Sequence, residues 1–281
     1  MIFVLSQSAL EAYSLDGYYV ARDLLSRDKI ALLHREMAQV FANQMCFLGQ
    51  DLEPGDDHHA VFRAMKRLFC TDRKRYLASL RLIAKLYSFQ MLMLDPAIVQ
   101  FVMALGLVLP VMQARPVFHV MSHELAFEDG YFGFGVHQDW PALQSSLDMV
   151  TAWVPLVDVD RDLFALEVLP GSHVHGLLPG KAGDHILEVD AAQYCSADFV
   201  AVEAEQGDVV FMSGFALHRS GQRGRTGGVR LAASCRYENA MEQHFIAHSY
   251  PFSQHTVVNR ELLFDNFPSA QQVADARKKQ K

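Results

Sequence analysis

The chain has 281 residues, of which 51% are hydrophobic and 20% charged, so it can bury a large core and wholesale disorder is excluded. Its formal net charge is −7, and its 25 lysines and arginines are scattered along the sequence. That distribution argues against nucleic acid or an anionic membrane as the main partner. We expect residues 1–281 to form a single domain, since one domain of this length is common.

The sequence carries no sign of export or of a membrane span. Its four cysteines form no CxxC pair, and no basic, apolar leader precedes Ser6. We therefore expect reduced thiols and a cytoplasmic protein. The longest apolar stretch, residues 98–112, contains Gln100 and Pro110 and is too short to span a bilayer. We interpret it as a buried helix that runs into a strand.

Residues 1–115 are predicted to be mainly helical, apart from a strand at 17–22. Ser26 can cap a helix that runs to about Met45. A second helical region is predicted at roughly 57–89. A third helix is predicted to begin near Asp95, with Pro96 in its first turn.

From residue 116 to about 250, short apolar runs are separated by Gly, Pro and Asp, which is typical of a β-sandwich or barrel. The predicted strands are 117–121, 131–136, 149–157, 163–169, 208–213 and 229–237. Helices come first and strands second, which disfavours a doubly wound parallel sheet. Residues 251–281 are predicted to be a C-terminal extension whose short basic end is a solvated terminus.

A His-x-Asp triplet, His137 and Asp139, follows the predicted strand at 131–136. Side chains two apart on an extended strand point to the same face, so both can reach one point inside a barrel. The triplet alone is a weak signal, because it arises by chance in many proteins of this length.

His218 ends an apolar strand that begins after Gly207-Asp208, so a third ligand can come from a second strand. Two histidines and one carboxylate occupy one face of an octahedral iron site and leave three positions open. A chelating 2-oxo acid needs two of those positions and dioxygen needs one. A structural zinc site would close its coordination shell instead.

Arg230 follows His218 by twelve residues, across the loop 221–228. We expect the flanking strands to form a hairpin that places Ser220 and Arg230 beside the metal. A guanidinium there can bind the distal carboxylate of a 2-oxo acid through two hydrogen bonds. Arg236 also points inward by parity and is the reserve candidate.

The ordered set of motifs resembles the phytanoyl-CoA dioxygenase family, a branch of the iron(II)- and 2-oxoglutarate-dependent oxygenases. The matching segments are HQDW at 137–140, AWVPLVD at 152–158, LPGSHVHG at 169–176, the strand that leads to residue 218, and RLAASCRY at 230–237. DGYYV at 16–20 and LLS at 24–26 resemble the opening strand and helix of that family. The resemblance implies a mainly β fold with flanking α-helices around a double-stranded β-helix, a cupin-like jelly-roll.

The resemblance also implies cofactors and site residues. The iron ligands carry over to His137, Asp139 and His218. The residues around 2-oxoglutarate carry over to Arg230, Ser220, Gln138 and Trp153. The implied reaction uses dioxygen to hydroxylate an aliphatic C–H of a small-molecule metabolite, with release of succinate and CO2. Trp153 fits a core aromatic equally well, and His173 and His175 fit loop architecture or a pocket rim.

The strand before the triplet departs from the pattern of the family. Relatives often carry a lysine there, whereas this strand offers His119, Ser122 and His123, and parity does not decide which of them points inward. The identity of the substrate, the oligomeric state and the choice between hydroxylation and desaturation or cyclisation therefore stay open. Asp139 favours hydroxylation over halogenation, because related halogenases lack this carboxylate.

Two other classes of function use similar ligands. A non-redox cupin-like isomerase or small-molecule binding protein would bind metal through histidines without 2-oxoglutarate, and it would have no need of Arg230. A zinc hydrolase would need a general base near the metal, and the sequence offers no specific candidate.

Overall fold

A computed structural model describes residues 5–112, 116–127, 132–183, 186–251 and 269–278 of the chain. The helices are α1 (Gln7–Asp16), α2 (Arg27–Phe47), α3 (His58–Thr71), α4 (Arg73–Ile83), α5 (Tyr87–Met93), α6 (Pro96–Ala104), α7 (Trp140–Leu143), α8 (Gln243–Ala247) and α9 (Ala270–Lys278). The strands are β1 (Tyr18–Ala21), β2 (Pro110–Met112), β3 (Val117–Met121), β4 (Val150–Pro155), β5 (Leu166–Val168), β6 (Gly180–Ala182), β7 (Leu187–Val189), β8 (Val200–Val202), β9 (Val209–Ser213), β10 (His218–Ser220) and β11 (Arg230–Asn239).

Three antiparallel sheets organise these strands. The large sheet has the order β1-β9-β4-β11-β2, and β3 also pairs with β11. A second sheet has the order β10-β5-β8, and β6 pairs with β7. The predicted fold class, mainly β with flanking helices around a jelly-roll core, is confirmed, although the sheets of the described residues do not close into a barrel.

The helical prediction for the N-terminal part is confirmed in outline. Ser26 caps α2 by accepting a hydrogen bond from the backbone N–H of Asp28, and Asp95 caps α6 with Pro96 in its first turn. The predicted helical region at 57–89 is three helices rather than one. The chain leaves helical geometry at Asp72, where φ is −153°, and the Asp72 carboxylate then caps α4. Helix α1 lies in the part predicted to be mainly helical, but no bounds were assigned to it, although Ser6 caps it.

The strands predicted at 117–121, 149–157, 208–213 and 229–237 are confirmed to within two residues at each end. Only residues 166–168 of the predicted strand at 163–169 form a ladder. Residue 131 of the predicted strand 131–136 lies outside the described residues, and 132–136 are not a strand. The hairpin predicted across loop 221–228 is wrong, because β10 pairs with β5 whereas β11 pairs with β2, β3 and β4.

The large sheet separates the helices from the site. On its outer face Phe101 of α6 stacks on Phe211 of β9, with 4.0 Å between the ring centres, and Phe89 of α5 packs edge-on against Phe118 of β3. The neighbouring Met212 of β9 points the other way, into a cavity that residues of β5 and β10 also line. Burial of aromatic rings on one face thus fixes which face of the sheet is left for chemistry.

The C-terminal extension predicted at 251–281 falls largely on residues that lie outside the described ranges, as does most of its basic end. Helix α9 is described, and its Val273 and Ala276 pack with Trp140, Leu143 and Phe215. The C-terminal helix therefore supports the segment that follows Asp139.

Within the described ranges no single helix is long and apolar enough to cross a bilayer. Arg73–Ile83 and Tyr87–Ala104, bent by 48° at the break between them, reach that length and hydropathy only as a pair.

Candidate metal centre

A backbone bridge sets the two candidate histidine ligands side by side. His137 N–H donates to the carbonyl of His218 at 3.0 Å, and His218 N–H donates back to the carbonyl of His137 at 3.1 Å. The imidazole ring centres are consequently 4.0 Å apart. The two histidines are thus brought together by chain segments far apart in sequence, as predicted.

Asp139 completes the cluster. Its Oδ1 lies 3.8 Å from His137 Nε2 and 3.9 Å from His218 Nε2, and the three side chains are buried. Among the described residues, no other three His, Cys, Asp or Glu side chains bring their ligand atoms within 4.8 Å of one another. Asp139 has helical φ and ψ of −75° and −31° rather than the extended conformation we predicted, and it stands at the N-cap of α7 without capping it. Its carboxylate is therefore free to face the histidines.

Backbone carbonyls orient both imidazoles. His137 Nδ1 lies 2.8 Å from the Gly135 carbonyl, and His218 Nδ1 lies 3.0 Å from the Ala216 carbonyl. A carbonyl only accepts, so each Nδ1 carries a proton, and Nε2 is the nitrogen that each imidazole turns towards Asp139. A hydrogen bond on the far nitrogen is the usual support of a metal-binding histidine.

The charges of the cluster also suit a cation. Burial, followed by the neighbouring His218, lowers the pKa of His137 to about 3, so its imidazole is neutral at pH 7. Burial alone would raise the pKa of Asp139, but Arg236 and the two histidines together hold it well below its usual range. Neutral imidazoles and an ionised carboxylate are the forms that bind metal. This donor set fits iron(II), which accepts two histidines and one carboxylate on one face.

Arg236, the reserve candidate for binding the co-substrate, donates hydrogen bonds to Asp139 instead. Its Nη2 donates to Oδ1 at 2.8 Å and its Nε donates to Oδ2 at 3.1 Å. Thr151 Oγ1 also donates to Oδ2, at 2.6 Å. The candidate metal carboxylate is therefore held on its outer side by three hydrogen bonds.

Arg230 lies in the same cavity and is 2% exposed. Its Nη1 donates to the carbonyl of Phe164 at 2.7 Å, and its guanidinium carbon is 5.9 Å from the centre of a Trp153 ring. Ser220 lines the cavity too, and its hydroxyl accepts from the backbone N–H of Phe134 at 3.1 Å. The structure thus brings Arg230, Ser220 and Trp153 together beside the histidines.

Gln138 is not brought to the cavity. Its amide donates to the carbonyls of Gly176 and Phe215, both at 2.8 Å, and its Oε1 accepts from the N–H of Leu178 at 2.9 Å. The side chain is buried, and its hydrogen bonds go to the backbone of two segments, 176–178 and the turn at Phe215. It therefore braces the chain between His137 and Asp139.

The strand before the triplet presents His119 to the cavity, where its Nε2 lies 2.8 Å from Ser234 Oγ. Ser122 caps a short 3₁₀ helix, and His123 packs against the rings of Phe132 and Phe164. Away from the metal cluster, His173 lies buried with its Nε2 at 3.2 Å from the Ser14 carbonyl, and His175 is exposed.

Neither Thr151 nor Phe164 was identified from the sequence as a residue of the site. Thr151 lies two residues before Trp153 on β4, so alternation along that strand was a usable signal. No sequence pattern identifies Phe164, because it contributes its backbone carbonyl, a group that every residue type has. Its φ of 50° is unusual for a large side chain, and it aims that carbonyl at Arg230.

Comparison with known proteins places the chain beside oxygenases. The profile of the phytanoyl-CoA dioxygenase family matches residues 13–232. Peroxisomal phytanoyl-CoA dioxygenase of Rattus norvegicus is 35% identical over 111 residues, which are 36% of this chain and 32% of that protein. The alignment thus spans about a third of the length of this curated relative.

Solved structures agree on the fold. The non-haem α-ketoglutarate-dependent carbocyclase SnoK from nogalamycin biosynthesis is 19% identical, with a TM-score of 0.57 over 91% of this chain and 94% of that one. The epimerase SnoN, solved with Fe3+, α-ketoglutarate and a nogalamycin compound, is 18% identical, with a TM-score of 0.54 over 94% and 98%.

Proposed function

The chain belongs to the phytanoyl-CoA dioxygenase family, and from that premise we propose that it is an iron(II)- and 2-oxoglutarate-dependent dioxygenase that hydroxylates an aliphatic C–H of a small-molecule metabolite. One observation carries the proposal. The buried side chains of His137, Asp139 and His218 converge beside a cavity that the two histidines line together with Arg230. A metal-binding isomerase or a zinc hydrolase would explain the three ligands but would leave the buried arginine without a role.

The three ligands would hold iron(II) through His137 Nε2, His218 Nε2 and Asp139 Oδ1. When bound, the metal supplies the redox chemistry that couples decarboxylation of 2-oxoglutarate by dioxygen to oxidation of the substrate. The chain itself orients both imidazoles through hydrogen bonds on Nδ1 and supplies an ionised carboxylate, which is the form that binds metal.

Arg230 would bind the distal carboxylate of 2-oxoglutarate. Its Nη1 donates to the Phe164 carbonyl, and the residue lines the cavity beside the histidines. A guanidinium has the planar shape that binds a carboxylate through two hydrogen bonds. The Ser220 hydroxyl is available as a second polar contact, and the Trp153 ring forms the apolar wall for the methylene groups. Because Arg230 is buried, water competes poorly for the carboxylate.

The substrate would react on the side of Phe134 and His119. The Phe134 ring lies 5.5 Å from the ring of His137 and 6.3 Å from that of His119. This wall is aromatic, and burial lowers the pKa of His119 well below its usual value, so the imidazole stays neutral. An uncharged aliphatic group suits such a wall better than an ionic one.

The experiment is succinate formation from 2-oxoglutarate under air with iron(II), screened across a panel of metabolites. A substrate raises the rate of succinate release and gains one oxygen atom, which mass spectrometry detects. The His137→Ala/His218→Ala double variant and an anaerobic sample serve as controls. Product with two fewer hydrogens, or with unchanged mass and inverted stereochemistry, would replace hydroxylation by desaturation, cyclisation or epimerisation. No 2-oxoglutarate consumption with any compound would contradict the proposal.

A further inference from the structure

Arg236 and Thr151 lie opposite each other on two adjacent strands beside the metal cluster. They are direct partners in the register of β11 and β4, and their side chains meet at the carboxylate of Asp139. Directly opposite residues on one sheet face are held close by the backbone ladder. The fold therefore brings two donors to the outer side of one candidate metal ligand.

The two oxygens of Asp139 are used differently. Oδ2 accepts from Thr151 Oγ1 at 2.6 Å and from Arg236 Nε at 3.1 Å, so both of its lone pairs are engaged. Oδ1 accepts only from Arg236 Nη2 among the side-chain donors recorded for the described residues, and it is the oxygen that lies 3.8 and 3.9 Å from the two Nε2 atoms. One oxygen is thus free to coordinate and the other is not.

The guanidinium of Arg236 is itself held in place. Arg236 Nη1 donates to Ser234 Oγ at 2.9 Å, and that hydroxyl lies 2.8 Å from His119 Nε2. The three nitrogens of the guanidinium are therefore all engaged, and the group has little freedom to turn towards a co-substrate. This separates Arg236 from Arg230 on the same strand, whose Nη1 donates to the Phe164 carbonyl.

We propose that Arg236 and Thr151 are positioning residues that restrict Asp139 to one-oxygen coordination. The inference rests on the proposed function, in which the three protein ligands leave three positions, two for 2-oxoglutarate and one for dioxygen. A carboxylate that bound through both oxygens would fill one of them. Oδ2 cannot do so while its two hydrogen bonds persist.

The test compares crystal structures of the manganese(II) complexes of the wild type, Arg236→Met and Thr151→Val. Met keeps the length of the side chain without donors, and Val keeps the shape of threonine without its hydroxyl. Wild-type Asp139 is expected to bind through Oδ1 alone. In each variant Asp139 is expected to bind through both oxygens or to rotate out of place. Asp139 in its wild-type position in both variants would overturn the proposal.

Kinetics supply the second readout, with Arg230→Met as the matched control because it removes a buried arginine from the same strand. Arg236→Met is expected to lower kcat for 2-oxoglutarate about 10- to 100-fold, as is usual for partners of metal ligands, with KM within threefold. Arg230→Met should raise KM instead. The opposite split would overturn the proposal.

Two controls distinguish a failure of this proposal from misfolding of a variant and from a failure of the proposed function. Thermal unfolding shows whether Arg236→Met is misfolded. If it is, the coordination of Asp139 is read from Thr151→Val and from Arg236→Lys, which keeps the charge but loses the planar guanidinium. Because the manganese(II) structures need no turnover, a wild type that binds metal without consuming 2-oxoglutarate would refute the proposed function. The coordination of Asp139 would still decide whether Arg236 and Thr151 position it.

Discussion

His218 and Arg230 line one cavity from two different sheets. His218 pairs with Val168 in the three-stranded sheet, whereas Arg230 pairs with Met121 in the large sheet. The distance between the candidate metal and the guanidinium is therefore set by the packing of two sheets. A change at Arg230 leaves the bridge between His137 and His218 intact, so the two functions of the cavity can be tested separately.

Arg230→Ala is expected to weaken 2-oxoglutarate binding by about 2–5 kcal/mol, roughly 30- to 5,000-fold in Kd, because a buried charge pair is lost. Metal binding should persist, since Arg230 is not one of the three proposed ligands. Titration of 2-oxoglutarate into the metal-loaded protein measures the effect. Arg236→Ala is the comparison and should affect 2-oxoglutarate affinity less. A larger loss for Arg236→Ala would reverse the two assignments.

His137→Ala and His218→Ala should each abolish 2-oxoglutarate turnover and lower metal affinity by at least about tenfold, because each removes one of only three protein ligands. Cooperative unfolding should remain, since the bridge between these residues uses backbone atoms alone. Metal titration, turnover and thermal unfolding would be measured on the same preparations. Near-normal turnover in either variant would show that the residue is not a ligand.

Asp139→Gly should lower hydroxylation by orders of magnitude while 2-oxoglutarate still binds weakly through Arg230. It removes the only negative charge of the cluster and leaves Arg236 without its carboxylate partner. Asp139→Glu keeps the charge but moves the oxygens by roughly one bond, and such sites tolerate errors of only about half an ångström. Iron-dependent 2-oxoglutarate consumption at matched metal loading compares the three proteins. Full activity of Asp139→Gly would remove Asp139 from the site.

Local sequence was sufficient to identify the candidate ligands but not the residues that surround them. His137, Asp139 and His218 stand out because polar side chains end apolar runs at recognisable spacing. The partners of Asp139 depend on the register between β4 and β11, which sets Thr151 opposite Arg236 across 85 residues of chain. No local pattern encodes that register, so Arg236 was recognised as inward but not as a partner of Asp139.

The errors in the fold have the same origin. The run 117–121 is confirmed as a strand because its apolar residues and the preceding proline act locally. The supposed hairpin at 221–228 failed because turn-rich sequence marks a reversal of the chain without stating which sheet the next strand joins. Gln138 was placed in the site by resemblance, but similarity of sequence does not state which way a side chain turns, and this one binds the backbone of Gly176, Phe215 and Leu178 instead.

Glu238 provides a test of stability away from the metal. It lies on β11 opposite Val111 of β2, and burial raises its pKa to about 7, against the opposing hydrogen bond with Ser145. The folded protein therefore binds a proton more tightly than the unfolded chain, whose glutamates titrate near 4.3. The stabilisation from this proton is complete below about pH 4, and it is lost as the pH rises to about 7.

Glu238→Gln removes this dependence, because glutamine stays neutral at every pH. Relative to the wild type, the variant should gain about 3 kcal/mol between pH 4.5 and pH 8, or about 6 °C in Tm. Asp148, whose pKa burial raises to about 6, acts in the same direction in both proteins and so cancels in the difference. Thermal unfolding at several pH values measures it, with Glu53→Gln, the same substitution at an exposed position, as the matched control. A Tm difference between Glu238→Gln and the wild type that stays constant from pH 4.5 to 8 would mean that Glu238 is ionised in the folded protein.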